Sequence, residues 1–366
     1  MTLTGMTWDH PRAWLGLEAF EASGVAPLVA WDRQPLSAFE AYPIARLAET
    51  HDFMVVDHPG LGAAVRAGAL VAFEDLVDPA LVDQWLRSAV GASGASYEVG
   101  GRTWAVPIDA AAQVSVRRPD AGVPVVRRWE DVPAVAAEHP VALCLAGPHA
   151  GLTLLAMCSG VASEHLLDPA TATDAVDLLR AVFRIADREL SLLDPIGIHD
   201  GLADGSGATW CPLAYGYVTY ADRLAWSDAP SWRGDHPLSV LGGTGLAVAA
   251  RSAGDPEVRA WVHAFLDERV QTGLVPRAGG QPAHRAVWTG TRPFYADTVA
   301  TLDAAWVRPR VPGWIPLQDE LSELVREAIV EDRDAAAAVD KVNAAYADLL
   351  RVAHHEKGER SWVLPS

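Results

Sequence analysis

The first sixty residues alternate between short apolar runs and helical spacing, and this alternation restricts the possible folds more than any other feature of the chain. Thr2 to Thr7 reads as a strand, and after Trp8-Asp9-His10-Pro11 the apolar positions Trp14, Leu17 and Phe20 recur at helical spacing. Ala26 to Trp31 predicts a second strand, Leu36 to Leu47 a helix, and Asp52 to Asp57 a fully buried strand closed by His58-Pro59-Gly60. Repeated βα units predict a mostly parallel sheet with helices on its faces. Such sheets bind ligands beyond the carboxyl ends of their strands. Both strand ends here carry one tripeptide, Asp9-His10-Pro11 and Asp57-His58-Pro59.

At 366 residues the chain exceeds one ordinary core of about 100–200 residues, so two lobes are expected. Further along, Tyr97 to Asp109 predicts a hairpin around Gly100-Gly101 followed by an extended segment that runs on through Ala110 to Val116. Trp129 to Ala137 predicts a helix, Val141 to Leu145 a strand, and Gly151 to Gly160 and Thr173 to Leu193 two more helices. Thr209 to Tyr220 and Leu238 to Ala250 read as strands, Asp255 to Arg269 as a helix, and Leu317 to Val330 and Ala335 to Val352 as two closing helices. The excess of 47 acidic over 29 basic residues repels phosphate backbones and excludes nucleic acid as a partner. No apolar run approaches the about 18 residues of a membrane span, so no insertion is expected. Cys144, Cys158 and Cys211 include no C-x-x-C pair, and Met1 to His10 does not read as a secretory signal. The expected location is cytoplasmic for the chain as written, and periplasmic or extracellular if a leader has been removed.

Several stretches taken together resemble the family 1 extracellular solute-binding proteins of ABC importers, relatives of the maltose-binding protein. They are Phe53 to Asp57 with Gly68 to Asp75, then Trp104 to Asp109 as a hinge-crossing strand, Leu238 to Ala250 as a returning strand, and Ala304 to Leu350 as a late crossing with two terminal helices. The resemblance implies an α/β, two-lobed, periplasmic-binding-protein-like (type II) fold with a ligand cleft between the lobes. It divides the chain into lobe one at 1–109 and 243–310, and lobe two at 110–242 and 311–366. It further implies a monomer that captures a small polar organic ligand, sugar-like by family default, by hinge closure, and that delivers it to an ABC permease if exported.

Asp9, His10, Asp57, His58 and Asp109 are expected at loops facing one cleft, where they would hydrogen-bond hydroxyl groups, hold a cation or transfer protons. The same tripeptide is also ordinary turn chemistry, with Asp accepting backbone N–H bonds and Pro ending the strand. Neither H-x-x-x-H nor H-E-x-x-H is present at these positions, so neither a metal nor another cofactor is expected. Trp8, Trp210, Tyr215, Tyr217, Trp288 and Tyr295 are candidates for an aromatic wall, although core packing claims most tryptophans. Gly243 and Thr244, within Gly242-Gly243-Thr244-Gly245, read as a hinge that permits close backbone approach. His284 and Arg285 would bind an anion if their glycine-rich loop folds into the cleft mouth; otherwise that loop is a solvent-exposed connection. Two functions therefore stand side by side: a hinged receptor, or a cytoplasmic enzyme on the same fold that uses cleft Asp and His for isomerisation, elimination or cyclisation.

Overall fold

The computed structural model describes residues 2–355. Three parallel strands open the chain, β1 (Leu3–Trp8), β2 (Val29–Gln34) and β3 (Phe53–Val56), with β1 paired to both of the others. Helix α1 (Pro11–Ser23) follows β1; His10 caps its first turn, Pro11 supplies the fixed φ of the first helical residue, and Gly24 ends it at φ 67°. Its Leu17 and Phe20 are buried, which is the apolar face read from the spacing. The single helix expected over 36–47 is two, α2 (Leu36–Ala41) and α3 (Ile44–Leu47), because Pro43 cannot continue a helix. Helix α4 (Leu61–Arg66) follows the His58–Gly60 turn.

The small hairpin forms where expected, β4 (Glu98–Val99) against β5 (Arg102–Thr103), with Gly100 and Gly101 both at positive φ. Strand β6 (Val106–Arg117) then runs for 12 residues, roughly 40 Å at about 3.3 Å per residue. Its first half pairs with β9 (Leu241–Val248), and its second half pairs with β7 (Trp210–Tyr215) and β8 (Ala225–Ser227). The strand order is β2-β1-β3-β9-β6-β7, with β8 also on β6. Here the sheet departs from the mostly parallel expectation. Only β1 to β3 are parallel, while β9, β6, β7 and β8 pair antiparallel because the two long strands β6 and β9 cross between the lobes in opposite directions. The boundaries expected at 109/110 and 242/243 lie opposite each other in the Ala110–Gly243 pair. Gly243 has φ 98°, and a Cβ there would sit 2.4 Å from the Asp109 carbonyl oxygen, so this crossing requires glycine.

Other differences are local. Val141 to Leu145 is extended but forms no ladder strand, only a bridge from Val141 to Trp210. The helix expected to reach Leu193 ends at Phe183, and a new turn starts at Arg188, capped by Asp187. The strand expected to reach Tyr220 ends at Tyr215 and gives way to a 3-10 turn at Val218–Tyr220. The helix expected over 255–269 spans Pro256–Phe265 and continues after a break as a π turn at Val270–Leu274.

Lobe two is built around α5 (His149–Cys158), buried along its whole length, packed by α6 (Pro169–Phe183) and α7 (Trp314–Val330), with α8 (Ala335–His355) outside them. Eight of the thirteen tryptophans among the described residues are fully or almost fully buried, among them Trp129, Trp261 and Trp314, so core packing absorbs most of them. All three cysteines are buried, and none is in a disulfide. No helix among the described residues is long and apolar enough to cross a membrane. The His354-His355 pair, expected at an exposed helix end, has side chains outside the described residues.

Candidate functional site

Trp8 closes β1 and His10 starts α1. Nδ1 of His10 accepts the Arg12 backbone N–H at 3.1 Å, so the ring is spent on capping and carries its proton on Nε2. The ring stacks on Trp8 at 5.2 Å and meets Tyr217 edge-on at 4.9 Å. Burial, assisted by the Arg12 charge, lowers the His10 pKa to about 4. Arg12 reaches the other way. Its Nε donates to Asp109 Oδ2 at 2.8 Å, its Nη2 to Asp109 Oδ1, and its Nη1 to the Gly216 carbonyl at 3.2 Å, while its guanidinium lies 4.7 Å from the centre of the Tyr217 ring. Burial pushes the Asp109 carboxyl above its usual range, with Arg12 opposing it. Against its own burial, Arg12 is held more firmly protonated by Asp109. The bidentate geometry makes this a buried ion pair joining the first turn of α1 to β6 and to the segment after β7.

The second tripeptide is organised differently. Asp57 Oδ1 accepts the His58 backbone N–H at 2.8 Å, capping the His58–Gly60 turn, and Asp57 Oδ2 accepts from Arg308 Nη2 at 2.6 Å. Burial alone would raise the Asp57 pKa, but Arg308 and His58 overcome it and bring it to about 2. His58 is fully buried, with Nδ1 3.2 Å from Asp57 Oδ1, and burial lowers its pKa to about 4. Arg308 also donates to Gln318 Oε1 at 3.2 Å and to the Leu241 carbonyl at 3.4 Å, tying β3, β9 and α7 together.

Six of the residues singled out in the sequence line one void of about 60 Å³ between the lobes: Trp8, Asp57, Tyr215, Tyr217, Gly243 and Thr244. Asp109 lies beneath Arg12, which itself lines the void; His10 stands behind Trp8, and His58 behind Asp57. The remainder are elsewhere. Asp9 is exposed and Trp210 is packed in the lobe-two core. Trp288 and Tyr295 are buried, donating to the Pro282 and Gly280 carbonyls. His284 caps the short helix Arg285–Trp288, and Arg285 is paired with Asp303 at 2.7 Å. In that same loop Gln281 is 1% exposed and ties β6 to the segment after β7. Its amide N–H groups donate to Ala110 and Gly216 carbonyls, and its Oε1 accepts from Val218 N–H.

Arg12, Arg308, Gln281 and Phe39 were not singled out in the sequence. Arg12 directly follows the first tripeptide and Arg308 lies in the late crossing, so the neutralising partner of each acid was adjacent to a recognised motif. Together the site offers an aromatic wall, hydroxyl groups and two internally neutralised ion pairs. Both tripeptide histidines are buried, His10 behind Trp8 and His58 behind Asp57, and burial favours their neutral forms. Among the described residues no group of three or more His, Cys, Asp or Glu could hold a metal ion.

No protein-family model matches the sequence, and no curated protein matches it in sequence. Solved structures do. A solute-binding protein of an ABC transporter from Agrobacterium radiobacter K84, in complex with ribitol, has a TM-score of 0.77 at 18% identity, over 95% of this chain and 98% of its own. The maltose-bound MalE3 protein of T. maritima has 0.78 at 17%, over 95% and 99%. The Thermus thermophilus maltotriose-binding protein, bound to maltotriose, has 0.75 at 16%, over 96% and 100%. The chain thus has the two-lobed type II periplasmic-binding-protein fold shared by the solute-binding proteins of ABC transporters.

Proposed function

We propose that this protein is a solute-binding protein that captures a small, neutral, polar organic molecule of sugar or polyol type between its lobes. The observation that carries the reading is the interlobe void walled by Trp8, Tyr215 and Tyr217 and floored by the Asp57–Arg308 pair and Thr244. Flat aromatic faces suit the apolar faces of sugar rings, and hydroxyl-bearing side chains suit their rims. Because each cleft acid is already matched by an arginine, a neutral ligand disturbs the electrostatics least. A void of about 60 Å³ equals about two water volumes, so admission requires the lobes to part. The crossings at β6, β9 and 308–312 are the hinge. The complexes of similar structures with ribitol, maltose and maltotriose point the same way. An ABC permease is the matching partner where the chain is exported.

Titration calorimetry with a panel of polyols, monosaccharides and maltooligosaccharides tests the reading. Saturable binding of at least one member, weakened at least tenfold by Trp8→Ala and recovered chemically unchanged, is the expected result. Turnover of the bound compound, or binding that Trp8→Ala and Thr244→Val leave untouched, refutes it.

A further inference from the structure

Phe39 and Asp57 line both this void and an adjacent chamber of about 430 Å³. Its walls come from both lobes: Ile44 and Ala63 from α3 and α4, and Val311, Ile315 and Pro316 from the last crossing and the start of α7. The start of α7 packs against the His58–Gly60 turn, so the chamber is part of the same interlobe seam. Among the described residues only two charged side chains line it, Asp57 and Asp319. Asp57 is already held by Arg308, and Asp319 is exposed. A sugar hydroxyl placed against Ile44, Val311 and Ile315 would lose its water without gaining a partner there, whereas a CH₂ group gains by leaving water. The chamber is also about seven times the volume of the void, so polar contacts alone account for a small part of the space.

We propose that the ligand of this cleft is amphipathic, with a polar head beside Asp57, Thr244 and Arg308 and an alkyl or aryl group filling the chamber between α3 and the start of α7. This rests on the solute-binding reading above and narrows it from plain sugars to molecules of glycoside type with an apolar substituent.

Two probes test it: a series of methyl, butyl, hexyl and octyl β-D-glucosides followed by calorimetry, and the neutral dye Nile red followed by its fluorescence. The dissociation constant is expected to fall roughly fourfold per added CH₂, the equivalent of about 0.8 kcal/mol, until the chamber is full. Nile red is expected to bind at one site per chain and to be displaced by octyl but not by methyl glucoside. Ala63→Trp, which fills the chamber, should abolish both the chain-length dependence and the dye site. Ile315→Asp serves the same purpose if that variant does not fold. Glucosides that bind with an affinity independent of chain length overturn the chamber proposal while leaving the solute-binding reading intact. Dye bound in the chamber and displaced by n-octanol, with no glycoside binding at all, supports the chamber and refutes the sugar-like head. A concentration-dependent rise in mass that Ile315→Asp abolishes puts a second copy of the chain on this face and overturns the proposal.

Discussion

Replacing Asp109 by Ala removes one half of the Arg12–Asp109 pair and tests whether the hinge depends on it. Arg12 is 5% and Asp109 8% exposed, and the guanidinium makes two bonds to the carboxylate and one to the Gly216 carbonyl. With the carboxylate gone, a buried guanidinium retains one carbonyl acceptor, and an uncompensated buried charge costs about 3–5 kcal/mol. For a chain of 366 residues the unfolding entropy is roughly 0.8 kcal/mol/K, so the melting temperature should drop by about 4–6 °C if the lobes unfold together. Urea unfolding at pH 7 supplies the free energy, and calorimetry supplies the melting shift. Asp303→Ala, which breaks the half-exposed pair with Arg285, is the internal control, at about 0–1 kcal/mol. The double variant Arg12→Met with Asp109→Leu should recover most of the loss, because an apolar pair of similar size removes the desolvation problem. If Asp109→Ala costs no more than the Asp303→Ala control, the pair is not a buried ionic clamp and the account of the hinge fails.

The pH dependence of stability follows from four buried histidines. His10 and His58 are lowered to about 4, and His149 and His199 to about 3, all principally by burial. Their unfolded values lie near 6.5, so the unfolded chain binds more protons below about pH 6.5 and stability falls as pH drops from there through about 4, by up to about 1.4 kcal/mol per pH unit for each ring. A melting temperature that stays flat between pH 7 and pH 4.5 refutes this. His199 is fully buried among Tyr217, Tyr220 and Trp226, and among the described residues neither ring nitrogen has a hydrogen-bond partner. His199→Phe should therefore raise the melting temperature at pH 5 more than at pH 7.5; an equal effect at both refutes the role of its charge. Gly243→Ala should cost about 1–3 kcal/mol in urea unfolding, since φ 98° and a 2.4 Å approach to the Asp109 carbonyl leave no room for a Cβ.

Much of the architecture was legible because it rests on local rules. The period of apolar residues marked β1, α1 and β3, and the Gly100-Gly101 pair marked the hairpin. Errors collected where a long-range partner overrides local preference. Val141 to Leu145 has strand composition, yet its bridge to β7 is confined to the Val141–Trp210 pair and it gains no ladder. The segment after Tyr215 turns because Gln281, more than sixty residues later, takes the Val218 N–H and the Gly216 carbonyl.

The tripeptides show the division of labour most clearly. From sequence alone they could be placed at strand ends and read either as turn chemistry or as a shared site, and both readings describe part of what each residue does. His10 and Asp57 cap the elements that follow them, which depends only on neighbours in the chain. That Asp57 faces Arg308 across 251 positions, and that Asp109 faces Arg12 across 97, follows from the three crossings converging at one seam. Periodicity assigns a residue to a face of its own element; which charge stands opposite it, and whether water reaches it, is decided by how distant elements pack. The tryptophans follow the same rule. Their number came from the sequence, but their division between two cores and one cleft wall came from the packing.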